Sequence, residues 1–192
     1  MKKNKGFTLI ELLAVIVILA ILLAIAIPKV NQYINKSRRD SLITTAMDVL
    51  YAVKKDATSE IYELPISNND ITIVSFDMVK LDKGGLLSSF NGKWIAKNSY
   101  IAIINVGTDI DPDYKYFIAL ADSKRYTIPL TDEKDVNSDS IVRNNTSKTK
   151  VTITSICGNN DGKYMVFDSI VGLEKYQTKN GWNATVYSSG DC

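Results

Sequence analysis

The 192-residue chain has no histidine, two cysteines, four prolines and a formal net charge of only +2. Without histidine, neither a Ser-His-Asp nor a Cys-His nucleophile can be assembled. A zinc site would have to draw on carboxylates and those two thiols. The sequence contains no phosphate-binding loop, dinucleotide fingerprint or convergent carboxylate pair. The chain is therefore expected not to be an enzyme and to need no cofactor. A charge so near zero argues against general nucleic-acid binding, although charge alone leaves DNA binding open.

What is present is uneven. Mean hydropathy is close to zero, but the 21 residues Phe7–Ile27 hold only two that are not apolar, Thr8 and Glu11. As a helix this run extends about 31 Å, the thickness of a bilayer's hydrocarbon core. Lys2, Lys3 and Lys5 precede it with no acid among them, which predicts a single pass with the N-terminus in the cytoplasm and the remainder outside. Glu11 is the exception in the run, because a carboxylate at such a place costs several kcal/mol, about 2.5–3.5 on insertion scales. Either it serves a function with a partner, or it lies among headgroups at the helix start.

The segment Lys5-Gly6-Phe7-Thr8-Leu9-Ile10-Glu11-Leu12-Leu13, followed by apolar residues to Pro28, closely resembles the N-terminus of type IV prepilins and of the pseudopilins of type II secretion and competence systems. It is most like type IVa-type pilins of Gram-positive bacteria, and the resemblance covers about residues 1–40. It implies that Gly6 precedes the bond cut by prepilin peptidase and that Phe7 becomes the N-methylated first residue. Glu11, with Thr8 beside it, would accept the amine of Phe7 from a neighbouring subunit, and Pro28 would kink or loosen the helix. Where many members carry glycine this chain has Ala20, a better helix former by about 1 kcal/mol, which argues against local melting before Pro28. A secretory signal peptide would share the lysines, the apolar run and a small-x-small site at Ala24-Ile25-Ala26, but has no use for Glu11 or the Gly6-Phe7 junction.

Beyond Pro28, Val30, Ile34, Leu42, Ala46, Val49, Leu50, Val53, Ala57 and Ile61 recur at spacings near three and four, predicting an amphipathic continuation that ends before Leu64-Pro65. From Pro65 onward the pattern is of strands: Trp94–Ile104, Tyr114–Leu120, Lys124–Ile128, Lys150–Ile156 and Lys163–Phe167 are rich in β-branched and aromatic residues. Asn159-Asn160-Asp161-Gly162 reads as a hairpin turn. Ile71–Leu81 reads as either a strand or a capped short helix. Thr131–Lys150 is almost wholly polar and reads as a long surface loop. The expected fold class is α+β, the type IV pilin fold, with one long helix packed on an antiparallel sheet. The expected organisation is a leader (1–6), a transmembrane or fibre-core helix (7–28), its amphipathic continuation (29–63) and a globular sheet domain (64–192).

Cys157 and Cys192 are expected to pair in an exported domain, as pilins commonly pin their C-terminal region; two free thiols are the alternative. No metal site is expected: Asp109, Asp111 and Asp113 open like a calcium loop and are the one calcium candidate, but Tyr114 and Leu120 stand where the glycine and glutamate of an EF-hand would be. Charge is divided, with four bases against one acid in Lys29–Asp40 and sixteen bases against nineteen acids in Ser41–Cys192.

The function these readings imply is structural: a pilin subunit that polymerises, alone or mixed with other pilins, into type IV pili for adhesion, motility or biofilm formation. Its partners would be prepilin peptidase, the pilus assembly platform, and the cytoplasmic membrane before assembly, with the finished pilus extracellular. A pseudopilin of a secretion or DNA-uptake machine is the first alternative, and a secreted soluble binding protein the second.

Overall fold

The computed structural model describes residues 6–68, 70–76, 99–121, 126–143, 163–167, 173, 176 and 182–187, with backbone alone for 163–167, 183 and 186. The chain falls into two compact units, residues 1–38 and 39–192. One helix, α1 (Leu9–Thr58), supplies residues to both.

In the first unit α1 is apolar all round from Leu12 to Ile27, and none of its described residues is buried. Helix is the form in which such a run satisfies its own backbone, since every internal N–H finds a carbonyl four residues back. α1 remains helical through Pro28, which lacks an N–H and so leaves the carbonyl of Ala24 without its usual donor. It is the one helix among the described residues long and apolar enough to cross a membrane.

In the second unit α1 becomes amphipathic. Leu42, Ala46, Val49, Leu50, Val53 and Ala57 are buried along one stripe, as their spacing predicts, while Ile61 is exposed beyond the helix end. The helix ends five residues before the predicted limit, in a Schellman motif: Ile61 N–H donates to the Asp56 carbonyl (3.1 Å) and Glu60 N–H to that of Ala57 (3.2 Å). Glu60 occupies the left-handed position with φ of 58°, a place usually taken by glycine.

The sheet has seven strands: β1 (Asp70–Ser75), β2 (Tyr100–Asn105), β3 (Tyr114–Ala121), β4 (Tyr126–Asp132), β5 (Val142–Arg143), β6 (Lys163–Phe167) and β7 (Trp182–Tyr187). Their order is β5-β4-β3-β2-β1-β7-β6. The α+β class and the helix-on-sheet arrangement are as the sequence indicates, but the sheet is mixed. Five pairings are antiparallel, whereas β1 and β7 run parallel, Ile71 opposite Ala184 and Ile73 opposite Val186. The cause lies in the connection: β1 follows the helix with one side open, and the C-terminal β6–β7 hairpin fills it from the far end of the chain. Of the two readings of Ile71–Leu81, the strand holds over Ile71–Ser75 and Phe76 is buried just past it; residues 77–81 lie outside the described residues, as do Lys150–Ile156 and the Asn159–Gly162 turn.

Both faces of the sheet are apolar. Val74, Ile101, Ile103, Ile118, Leu120 and Ile128 meet the α1 stripe, and Ile71, Ile73, Tyr100, Ala102, Ile104, Phe117, Trp182 and Ala184 form a second core on the reverse with Leu173. All six residues of β2 are consequently buried, the pattern of a strand covered on both faces. β4 runs past Ile128, where the sequence reading ended it, because Pro129 sits in a bulge: Ile118 pairs with Thr131 but Leu120 with Ile128. A bulge is where a strand tolerates a residue with no N–H.

The polar segment from Thr131 is not a free loop in its described part. It forms the end of β4, a 3-10 helix (Glu133–Asp135) and β5, and it inserts Val136 and Ile141 into the helix-side core. Lys54 of α1 pairs with Glu133 and lies 4.8 Å from the Tyr116 ring centre. Arg39 donates to the Ser138 carbonyl.

Candidate processing and assembly site

Gly6 has no neighbouring heavy atom within 4 Å of where a side chain would begin. Phe7 is 88 % exposed. Among the described residues nothing encloses Gly6 or Phe7, which a bond entering a protease in extended form requires.

Thr8 is the N-cap of α1 and Glu11 its third residue. The Thr8 backbone N–H and hydroxyl each donate to Oε2 of Glu11 at 2.8 Å, and Glu11 N–H donates to the Thr8 hydroxyl at 3.3 Å. This is a capping box, in which two otherwise orphaned donors of the first turn are satisfied reciprocally. The signature Thr-x-x-Glu before an apolar run is legible in the sequence, and neither a partner role nor a place among headgroups includes this capping role of Glu11. Both contacts fall on one carboxylate oxygen, and no cation among the described residues pairs with Glu11. The group can therefore hold its own helix start while presenting its other oxygen to an incoming positive charge.

Pro28 lies twenty residues beyond Thr8 on the same helix and makes no part of this cluster. Cys157 and Cys192 fall outside the described residues. Asp109, Asp111 and Asp113 are exposed on the loop between β2 and β3, and among the described residues no three carboxylate or thiol side chains gather as metal ligands. Their loop is instead built around the buried Asn105. Its Oδ1 accepts from Gly107 N–H (2.9 Å) and Asp113 N–H (3.1 Å), and its amide nitrogen donates to the Ile66 carbonyl at 2.7 Å. Asp113 and Asp111 carbonyls accept from Val106 and Thr108 N–H at 2.8 and 3.0 Å, so these backbone oxygens are already engaged. Gly107 fits only because it lacks a side chain, since a Cβ there would stand 2.3 Å from the Asp111 carbonyl oxygen.

Comparison with family models places a match at the same end of the chain. Residues 1–27 match the family model described as the prokaryotic N-terminal methylation motif. A fimbrial protein of Pseudomonas aeruginosa is 44 % identical over 63 residues, covering 33 % of this chain and 38 % of that protein. The type IV major alpha-pilin of Moraxella bovis is 35 % identical over 105 residues, 51 % of this chain and 65 % of that protein. The prepilin peptidase-dependent protein D of Escherichia coli is 44 % identical over 54 residues, 28 % and 37 % respectively. The matched region thus spans about two-fifths of the curated fimbrial protein of Pseudomonas aeruginosa. No solved structure matches the chain significantly. The methylation motif and these relatives agree with the resemblance drawn from Lys5–Leu13.

Proposed function

We propose that this protein is a structural pilin subunit, cut between Gly6 and Phe7 by prepilin peptidase, methylated on Phe7 and polymerised into a type IV pilus. The observation that carries this reading is the methylation motif seated on an apolar helix that no described residue buries. Fifteen or more large apolar side chains from Leu9 to Val30 stand about half exposed or more, a state tolerable only in lipid or against other helices. Before assembly the rod lies in the cytoplasmic membrane with the leader lysines inside. Afterwards it lies in the filament core, with the sheet units outward. The chain performs no chemistry of its own, and the peptidase acts on it.

Glu11 supports the second stage. Released by cleavage, the Phe7 amine of one subunit pairs with the free carboxylate oxygen of Glu11 in the next, an ion pair complete only between subunits and strengthened by the apolar surroundings. Pairing sets the register of one rod against its neighbour. Pro28 leaves one carbonyl open where the apolar run gives way to polar residues, so any kink in the helix itself would be taken up there. Cys157 and Cys192, in an exported domain, would close the C-terminal region.

N-terminal analysis of the mature protein, together with electron microscopy of the cell surface, tests the reading. Methylated Phe7 and long fibres containing the protein are expected. A first residue near Ile27 would mean a secreted soluble protein, and methylated Phe7 without surface fibres a pseudopilin.

A further inference from the structure

One loop of the second unit presents an apolar tip that nothing in its own unit explains. Ile110, between β2 and β3, is 96 % exposed, more than any other large apolar side chain described in the protein. It cannot retreat by loop rearrangement, because Asn105 and the close approach at Gly107 brace the segment on both sides. Asp109 and Asp111 flank it and Asp113 follows, all exposed. The tip therefore reads acid, apolar, acid, with a charge of −3 over Thr108–Asp113.

A complementary pattern lies on α1 just past the apolar rod. Lys29, Tyr33 and Lys36 fall at positions i, i+4 and i+7, hence on one helical face, and all three are exposed, Tyr33 at 73 %. That face reads cation, aromatic, cation, within a stretch, Lys29–Asp40, whose charge is +3. Rods packed side by side sit about 8–10 Å apart, close to the Debye length of about 8 Å at physiological salt. Parallel packing would bring these basic stretches within range of mutual repulsion unless an acid lies between them.

Resting on the filament reading, we infer that the Asp109-Ile110-Asp111 tip of one copy docks on the Lys29-Tyr33-Lys36 face of another, Ile110 against the Tyr33 ring and each aspartate opposite a lysine. A membrane surface fits this face less well. The headgroup layer extends about 5–7 Å past the apolar core, enough for Lys29 and Tyr33, whereas Lys36 lies about 12 Å beyond Pro28 along the helix. A second copy satisfies all three residues.

Charge exchange in the full-length protein, expressed in filament-forming cells, tests the contact. Four forms are compared: wild type, Asp109→Lys/Asp111→Lys, Lys29→Glu/Lys36→Glu, and all four changes together. Sheared filament and precursor in the membrane fraction are measured for each. Each reversal alone is expected to lower filament yield at least tenfold with precursor unchanged, and the combined form to recover to within about threefold of wild type. Ile110→Ser, which alters no charge, is expected to lower yield at least threefold. Single reversals that leave yield unchanged overturn the inference. So does a loss in the lysine variant that tracks reduced membrane precursor and is not repaired by the loop changes, the result expected if lipid were the occupant. Wild-type cells without filaments overturn the filament reading, and this contact with it; normal wild-type filaments with indifferent variants overturn the contact alone.

Discussion

Thr8 and Glu11 cap each other: two donors of Thr8 converge on one carboxylate oxygen at 2.8 Å, and the Glu11 N–H returns a bond to the Thr8 hydroxyl. Glu11 therefore has a local duty besides the proposed intersubunit one, and substitutions can separate the two. Glutamine serves nearly as well in a capping box but carries no charge. Glu11→Gln and Glu11→Ala are both expected to give cleaved, membrane-bound protein with filament yield reduced at least tenfold, whereas Thr8→Val, which weakens the cap by about 1 kcal/mol, keeps most of it. Near-normal yield from Glu11→Gln would show that capping, and not charge, is what assembly needs.

Tyr100 is buried on the reverse face of the sheet, its hydroxyl has no partner among the described residues, and burial pushes its pKa well above the ordinary value. Burial likewise raises Tyr62 and Tyr116, with Asp56 and Glu133 respectively adding to the effect. The folded state thus keeps protons that the unfolded chain releases near pH 10. Stability is expected to be level from pH 7 to 9 and to fall as pH rises through about 10. Urea unfolding of the full chain in detergent at pH 8 and 10.5 measures this. Tyr100→Phe removes an unsatisfied buried hydroxyl, so it should stabilise at pH 8 by about 1 kcal/mol and flatten the alkaline loss.

Ile141 and Val142 are neighbours of opposite fate, the first buried at 8 % exposure and the second exposed at 41 %. Ile141→Ala should cost about 2–3 kcal/mol by leaving a cavity under α1, and Val142→Ala less than about 0.5. Equal effects would mean that the segment after Asp132 lies on the surface as a loop.

Glu60 holds a left-handed backbone conformation at the end of α1, where an L side chain is strained and glycine is not. Glu60→Gly is accordingly expected to raise stability by about 0.5–1 kcal/mol, seen as a higher unfolding midpoint with unchanged helix content. A decrease would mean that the Glu60 side chain makes a contact outweighing the strain.

The amino-acid sequence by itself determined what depends on neighbours along the chain. The apolar run, the Thr-x-x-Glu cap and the stripe of α1 from Leu42 to Ala57 are all local patterns, and each lies in the structure where its spacing puts it, whereas Val30 and Ile34, read as part of that stripe, are exposed. Strands β2, β3 and β6 were legible for the same reason, through their β-branched and aromatic residues. β7 was not. Its alternation of Trp182, Ala184 and Val186 with polar residues is a strand signal, but it is short.

Tertiary structure alone decided the rest, because those features depend on residues far apart in the chain. Nothing near Ile71 indicates that its neighbour will be Ala184, nor that the two strands will run parallel; that follows from which edge of β1 the helix leaves open. Pro129 reads as a strand end until an opposing β3 supplies the bulge that accommodates it. Val136 and Ile141 look like stray apolar residues in a polar loop until α1 and the sheet create an apolar space for them. Periodicity records which face of an element is apolar, and only packing determines what that face meets.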